Sequence, residues 1–137
     1  MQFITLINKD DRSVRLILSA GEISVDAEGR YFTLDFPYTL KGVSVSGDRI
    51  LLLTEEYTEG KGNLYCYSYS GLPLFTGTDL SDKPFVSGSV MSAMDTVPLF
   101  SRHGIVHVAD RSYFLATKEG GGMVVVDLTL GLPVLEV

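Results

Sequence analysis

Apolar and polar side chains alternate with a period of two along much of this chain, and this pattern limits its fold more than any other feature. Residues 64–69 read Leu-Tyr-Cys-Tyr-Ser-Tyr, and residues 43–46 read Val-Ser-Val-Ser. Successive side chains of an extended strand point to opposite faces, so this period predicts β-strands. Uninterrupted apolar runs at 50–53 and 124–126 are typical of strands covered on both faces. The residues expected in the core are Leu51, Leu53, Phe114, Val124 and Val126.

Turn-forming residues separate these strands throughout the chain. The 14 glycines and 5 prolines are spread so that no long amphipathic helix is expected between them. Residues 89–95 are a weak helical candidate, because Val90, Met91 and Met94 have helix-like spacing. The sequence therefore predicts an all-β, antiparallel protein with about a dozen short strands and no helix longer than two turns.

Two segments of the chain resemble each other. Residues 42–54 and 104–117 each combine a strand, an Asp-Arg turn and a more apolar strand, and a Gly-Leu-Pro turn follows at 71–73 and at 131–133. Residues 24–34 form a third, partial copy with a Gly-Arg turn. Each copy predicts two hairpins in series, which is about four antiparallel strands. The expected organisation is a single all-β domain over 1–137, with possible units at 2–35, 42–75 and 104–137 and an irregular insertion at 76–103.

Residues 125–134, Val-Val-Asp-Leu-Thr-Leu-Gly-Leu-Pro-Val, resemble the third strand and final turn of β-propeller blades of the quinoprotein and WD-repeat types. The resemblance covers 42–75 and 104–137 and, more weakly, 2–35, and it implies four-stranded blades. The chain has no tryptophan and no Trp-Asp or Gly-His signature. Two or three units are also fewer than the roughly four to eight blades of a ring. Propeller-like blades completed by a second copy, and a β-sandwich or open barrel, both stay open.

Charge and composition exclude several classes of partner. The chain carries 11 basic and 17 acidic residues, a net charge of −6, whereas nucleic acids and anionic membranes attract basic surfaces. No apolar stretch approaches the roughly 20 residues of a spanning helix. The apolar start at 3–7 is short and precedes its charged residues, unlike a secretory signal. No nucleic acid and no membrane are expected as partners, and a cytoplasmic location is expected.

Residues with catalytic or metal-binding chemistry are few and scattered. Two histidines four residues apart on a strand would be separated by roughly 13 Å, too far for one metal ion. The single cysteine has no predicted activating neighbour, so it is expected to be a small core residue. The candidates are His103, His107, Cys66 and the loop carboxylates Asp79, Asp82 and Asp95. We predict no catalytic residue, no cofactor and no metal.

The tyrosines are more informative than the titratable residues. Tyr65, Tyr67 and Tyr69 fall on one face of a predicted strand, and Tyr57 falls near its edge. Tyrosine combines a large apolar body with a polar tip, so such rows recur at protein interfaces. The alternative is that the row packs against a neighbouring sheet. These four tyrosines are the candidate interaction face.

Three functions are compatible with these patterns. The first is a non-enzymatic protein-interaction module, such as a small acidic inhibitor or immunity-type protein that is steered toward a basic partner. The second is an enzyme or small-ligand binder with its site in the loop 76–103, because long loops in compact domains are often functional. The third is a subunit or fragment of a larger β assembly. Apolar terminal segments at 3–7 and 134–137 favour edge pairing, so a homodimer is expected.

Overall fold

The computed structural model describes residues 2–7, 13–27, 29–46, 49–92, 97–101, 104–108, 112–128 and 132–136. These residues form fourteen strands, paired antiparallel throughout, and one short 3-10 turn at Gly77–Asp79. The all-β antiparallel fold predicted from the sequence is therefore confirmed. The weak helical candidate at 89–95 is wrong over its first part, since residues 89–92 belong to a strand.

Twelve of the strands form three four-stranded sheets. Sheet 1 contains, in order, β1 (Gln2–Ile7), β2 (Ser13–Ser19), β3 (Glu22–Ala27) and β4 (Arg30–Asp35). Sheet 2 contains β5 (Leu40–Ser46), β6 (Arg49–Thr58), β7 (Gly62–Ser68) and β8 (Pro73–Thr76). Sheet 3 contains β9 (Phe85–Ser92), β12 (Ser112–Lys118), β13 (Met123–Asp127) and β14 (Leu132–Glu136). A separate hairpin, β10 (Val97–Ser101) and β11 (Gly104–Val108), lies between β9 and β12 in the chain.

Sheets 1 and 2 match the first two predicted repeat units, whereas sheet 3 differs from the third. Sheet 1 spans 2–35 and sheet 2 spans 40–76, close to the predicted 2–35 and 42–75. In sheet 3 the first strand is β9, which lies inside the predicted irregular insertion at 76–103. Residues 104–108 pair with β10 instead of β12. The Ser- and Gly-rich sequence of β9 resembles a loop, and local patterning does not identify a pairing partner. The single domain over 1–137 stays a prediction.

Sheet 2 lies between the other two sheets and is covered on both faces. Ile50 and Leu52 of β6 belong to the core shared with sheet 1, whereas Leu51 and Leu53 belong to the core shared with sheet 3. Alternate residues of one strand therefore fill two different cores, which explains why the run 50–53 is apolar without interruption. All five residues expected in the core are buried: Leu51, Leu53, Phe114, Val124 and Val126.

The three sheets approach one another along their first strands. β5 lies against β9 on one side and against β1 on the other. Each of these is the first strand of its own four-stranded sheet. This convergence of first strands is consistent with propeller-like blades. The terminal strands lie in different ladders, since β1 pairs with β2 and β14 pairs with β13.

One side chain joins sheet 2 to sheet 3 by hydrogen bonds. The buried Asn63 of β7 donates from Nδ2 to the carbonyl of Phe85 at 2.7 Å, and its Oδ1 accepts from the Phe85 N–H at 3.0 Å. This pair of bonds imitates one rung of a β-ladder and fixes the start of β9. The sequence analysis did not identify this role, because Asn63 follows Gly-Lys-Gly and has the appearance of a turn residue.

The turn between β7 and β8 packs against sheet 1 through a glycine. Gly71 has φ +86, and a Cβ atom there would lie 3.1 Å from the Phe32 ring of β4. Gly71→Ala should therefore lower the free energy of unfolding by about 2–4 kcal/mol, since backbone strain and overpacking add. Gly60→Ala is the matched control, because Gly60 has φ +83 with nothing within 4 Å, and it should cost only about 1–2 kcal/mol. Equal losses in urea denaturation would contradict the contact with Phe32.

Candidate functional site

The predicted tyrosine face does not form one exposed surface. Tyr65 and Tyr69 are 4% and 0% exposed and belong to the core between sheets 1 and 2. Tyr67 is half-buried against the same core, and Tyr57 is 46% exposed. The alternation correctly placed Tyr65 and Tyr67 on one side of β7, and that side is covered by sheet 1. A contact of Tyr57 or Tyr67 with a partner stays a prediction.

The scattered chemical candidates do not converge in the described residues. Cys66 is buried in the core between sheets 2 and 3. Asp79 accepts a hydrogen bond on Oδ2 from the Thr76 N–H at 2.8 Å, so it caps the 3-10 turn. Asp82 is exposed. His107 lies on β11 opposite Pro98. Asp95 and His103 lie outside the described residues.

Two further features are absent from the described part of the chain. No group of three or more His, Cys, Asp and Glu side chains is placed to hold a metal ion there. Among the same residues, no helix has the length and apolar character needed to cross a membrane.

A cleft of about 560 Å³ lies at the end of sheet 1, where the chain passes from β4 to β5. One wall is the β2–β3 turn at 18–22, and the other is the connecting segment 36–40. The Phe36 N–H donates to the Gly21 carbonyl at 2.8 Å, which ties the segment to the turn. At its far end, the Thr39 carbonyl accepts from the Glu55 N–H at 3.0 Å. The cleft wall is therefore held by sheet 1 at one end and by sheet 2 at the other.

Aromatic rings support this wall from the core side. Tyr38 stacks on Tyr65 with ring centroids 5.4 Å apart and an interplanar angle of 21°. Phe36 meets Tyr38 edge to face, with centroids 5.3 Å apart and an angle of 84°. Such offset and edge-to-face pairs are favourable beyond the area that they bury. The rings of Phe36 and Tyr38, which line the cleft, are consequently pre-positioned by the buried Tyr65.

Burial and neighbouring hydrogen-bonding groups change the pKa values of the side chains around the connecting segment. Burial raises the pKa of Tyr65 to about 12, and it also raises the pKa of Tyr67. The neighbouring hydroxyl of Tyr65, followed by that of Thr58, lowers the pKa of Tyr38. Hydrogen bonding by Thr39 lowers the pKa of Glu56, whose Oε2 accepts the Thr39 N–H at 2.8 Å. Glu56 therefore remains a carboxylate beside the connecting segment.

The raised pKa of Tyr65 predicts a loss of stability in alkali. The folded protein keeps this hydroxyl protonated above the ordinary tyrosine pKa of 10.0, whereas the unfolded chain releases the proton. The contribution of Tyr65 is thus fully present below about pH 10 and declines as the pH rises toward about 12. Tyr65→Phe should flatten this part of the melting-temperature profile relative to the wild type. Parallel profiles of the two proteins would contradict the burial of this hydroxyl.

The cleft was not predicted, although its signal was present in the sequence. Phe36-Pro37-Tyr38 is an aromatic-proline-aromatic segment between two strand units, where polar turn residues are usual. Such a segment outside a strand indicates a packed connection with aromatic groups near the surface.

Comparisons with known proteins add one similarity of fold. No protein-family model and no curated protein matches the chain. Among solved structures, the chain is similar to the crystal structure of HIRA(644-1017), with a TM-score of 0.46 and 13% sequence identity. The match covers 98% of this chain and 53% of that chain, so the chain spans about half the length of the HIRA segment.

Proposed function

We propose that the protein is a non-enzymatic protein-interaction module, in which three blade-like sheets are completed by a second copy of the chain. The main support is the difference between the sheets of the stack. Sheet 2 is covered on both faces by neighbouring sheets, whereas sheet 1 has one face in the core and the other at the surface. A further sheet could therefore pack on the exposed face of sheet 1, at the end of the stack.

The outer face of sheet 1 has the composition of an interface. Phe3 and Tyr31 are 69% and 67% exposed. The strand register places Phe3 beside Ile17 of β2, and Tyr31 beside Asp26 of β3. Aromatic side chains among polar and charged groups are enriched at protein interfaces, where they supply much of the binding energy. This face is therefore the proposed contact surface.

A second copy is the proposed occupant because its own stack also ends in a sheet with apolar groups on the outer face. Register puts Leu115 and Met123 on the face of sheet 3 that points away from sheet 2, where Leu115 is half-buried and Met123 is 39% exposed, whereas Tyr113 and Val125 on the same face are already buried. A head-to-tail contact would put this face of one copy on the outer face of sheet 1 of the other. Two such contacts would close a ring with a two-fold axis, and the three sheets of each copy would give six blades.

Sedimentation equilibrium at several protein concentrations tests this association. The wild type should rise from the 15.0 kDa monomer toward a dimer, and Phe3→Glu or Tyr31→Glu should shift the transition to higher concentration. Leu72→Glu is the matched control, since Leu72 is 60% exposed in the β7–β8 turn, which contacts sheet 1 at Phe32 on its inner face and not on its outer face. Because each copy carries a charge of −6, added salt should strengthen the association. A wild type that stays at monomer mass throughout would refute the dimer.

The acidic charge also supports a more specific form of the proposal. A net charge of −6 would accelerate encounters with a basic protein, as expected of an inhibitor or immunity-type protein. This form requires a surface at which basic side chains of a partner are recognised.

A further inference from the structure

We infer that the cleft at the end of sheet 1 binds an arginine or lysine side chain from an extended basic segment of a partner protein. This inference rests on the proposed interaction function and names the chemistry of the partner. The cleft lies at the end of sheet 1, and two of the carboxylates beside it, Glu22 and Asp35, share the outer face of sheet 1 with Tyr31. Four features carry it: the size of the cleft, its aromatic wall, its charge and its fixed backbone.

The cleft is large enough for a side chain with its flanking backbone. Its volume of about 560 Å³ lies within the roughly 300–1,000 Å³ of typical ligand sites. A single ion would fill only a small part of it. The lining combines polar groups, such as Gln2 and Ser19, with apolar groups, such as Leu18 and Leu40. A long side chain with an apolar stem and a polar head matches this mixture.

The aromatic wall offers a surface for a flat cation. Tyr38 is half-buried and lines the cleft, with Tyr65 stacked behind it. Pro37 beside it is exposed. A guanidinium group stacks on aromatic faces and keeps its donors free in the ring plane. Because Tyr38 is already fixed by its stacking partner, little side-chain entropy remains to be lost on binding.

The charge around the cleft favours a cation. Glu22 lines the cleft, and Asp35 lies directly opposite Glu22 in the β3–β4 register. The Glu56 carboxylate is bonded to Thr39, another lining residue. Two basic groups of the described residues are near the cleft: Lys41, which follows Leu40 in the chain, and Lys61, which lies within electrostatic range of Tyr38. Three carboxylates and two ammonium groups therefore lie around the cleft, on a chain with a net charge of −6.

The fixed backbone of the wall gives the site a preformed geometry. The Phe36 N–H donates a hydrogen bond to the Gly21 carbonyl. Thr39 accepts one from the Glu55 N–H and donates one to the Glu56 carboxylate. The connecting segment is thus anchored on either side of Tyr38. A site of this kind binds without first ordering a loop, which lowers the entropic cost of binding.

A titration with a minimal basic peptide tests the inference. The probe is acetyl-Gly-Arg-Gly-amide, added to ¹⁵N-labelled protein, and the control peptide has citrulline in place of arginine. Citrulline keeps the shape of the side chain and removes the charge. The arginine peptide should shift the amide resonances of Gly21, Glu22 and Tyr38 saturably, and the citrulline peptide should not. Glu22→Gln should weaken binding about threefold to fivefold, as expected for loss of one exposed ion pair.

Glu119→Gln is the matched variant, because Glu119 is an exposed carboxylate in the turn between β12 and β13 of sheet 3. It should leave the titration unchanged. Three outcomes would overturn the inference: equal binding of the citrulline peptide, shifts that never saturate, or equal effects of the two charge removals. Sedimentation of the same samples separates the two proposals. A protein that dimerises without binding the peptide overturns only the cleft, whereas a monomer that binds it overturns only the ring.

Discussion

Replacing Phe114 by alanine should lower the free energy of unfolding by about 3–5 kcal/mol. The Phe114 side chain is 2% exposed and lies in the core between sheets 2 and 3. Its removal forfeits the burial of an aromatic ring and leaves a cavity that strands fixed by ladder hydrogen bonds collapse only in part. Denaturation in urea, followed by circular dichroism, measures the loss. Phe3→Ala deletes the same atoms from a site that is 69% exposed, and in dilute protein it should cost less than about 0.5 kcal/mol.

A double-mutant cycle gives a sharper test of the same core. The Phe114 ring lies over Gly88 of β9, and a Cβ atom on Gly88 would overlap the tip of that ring. Gly88→Ala alone should therefore cost about 1–3 kcal/mol through overpacking. When Phe114→Leu has already shortened the side chain, Gly88→Ala should cost much less. Additive costs would mean that the ring does not occupy the space above Gly88.

Asn63→Leu should lower the free energy of unfolding by about 2–4 kcal/mol. Leucine has a similar size but no hydrogen-bonding group, so both the N–H and the carbonyl of Phe85 lose their side-chain partner in a buried place. Desolvated groups left without a partner cost more than the bond itself contributes. The measurement is again urea denaturation of the variant and the wild type at one protein concentration.

Glu56→Ala is the control for this substitution. It also removes a side-chain bond to a backbone N–H, that of Thr39, but at an exposed site where water replaces the carboxylate. Its expected cost is below about 1 kcal/mol. If the two substitutions cost the same, the bonds of Asn63 do not hold sheet 3 to sheet 2.

The sequence predicted most strands and turns well, because each depends on a pattern of residues that are close together in the chain. The alternation at 64–69 correctly separated Tyr65 and Tyr67 from Leu64 and Cys66. It could not reveal that both faces of β7 are covered, since burial of a face depends on a distant part of the chain. For the same reason the patterning could not decide between the two alternatives for Tyr65, a candidate for the interaction face that is in the core.

The errors in pairing and in the site have a related cause. Residues 104–108 have the pattern of β5, yet their partner is β10, and β12 pairs with the less apolar β9. Which strand pairs with which depends on competition between segments, and a single segment carries little of that information. The cleft likewise depends on two hydrogen-bonded contacts of the segment 36–40 with sheets 1 and 2. Only the unusual aromatic composition of that segment was visible beforehand.

The central position of sheet 2 has a consequence for how the protein is made. During synthesis from the amino terminus, sheet 1 is available to cover the face of Ile50 and Leu52 as soon as sheet 2 emerges. The opposite face, with Leu51, Leu53 and Leu64, waits for Phe114 and the β13 valines, which are translated later. At elongation rates of roughly 5–20 residues per second, that apolar face remains exposed to solvent for on the order of 2–10 seconds. A nascent chain that pauses between Thr76 and Ser112 therefore exposes this apolar face of sheet 2. A chaperone that recognises apolar surface is expected to bind the chain during this interval.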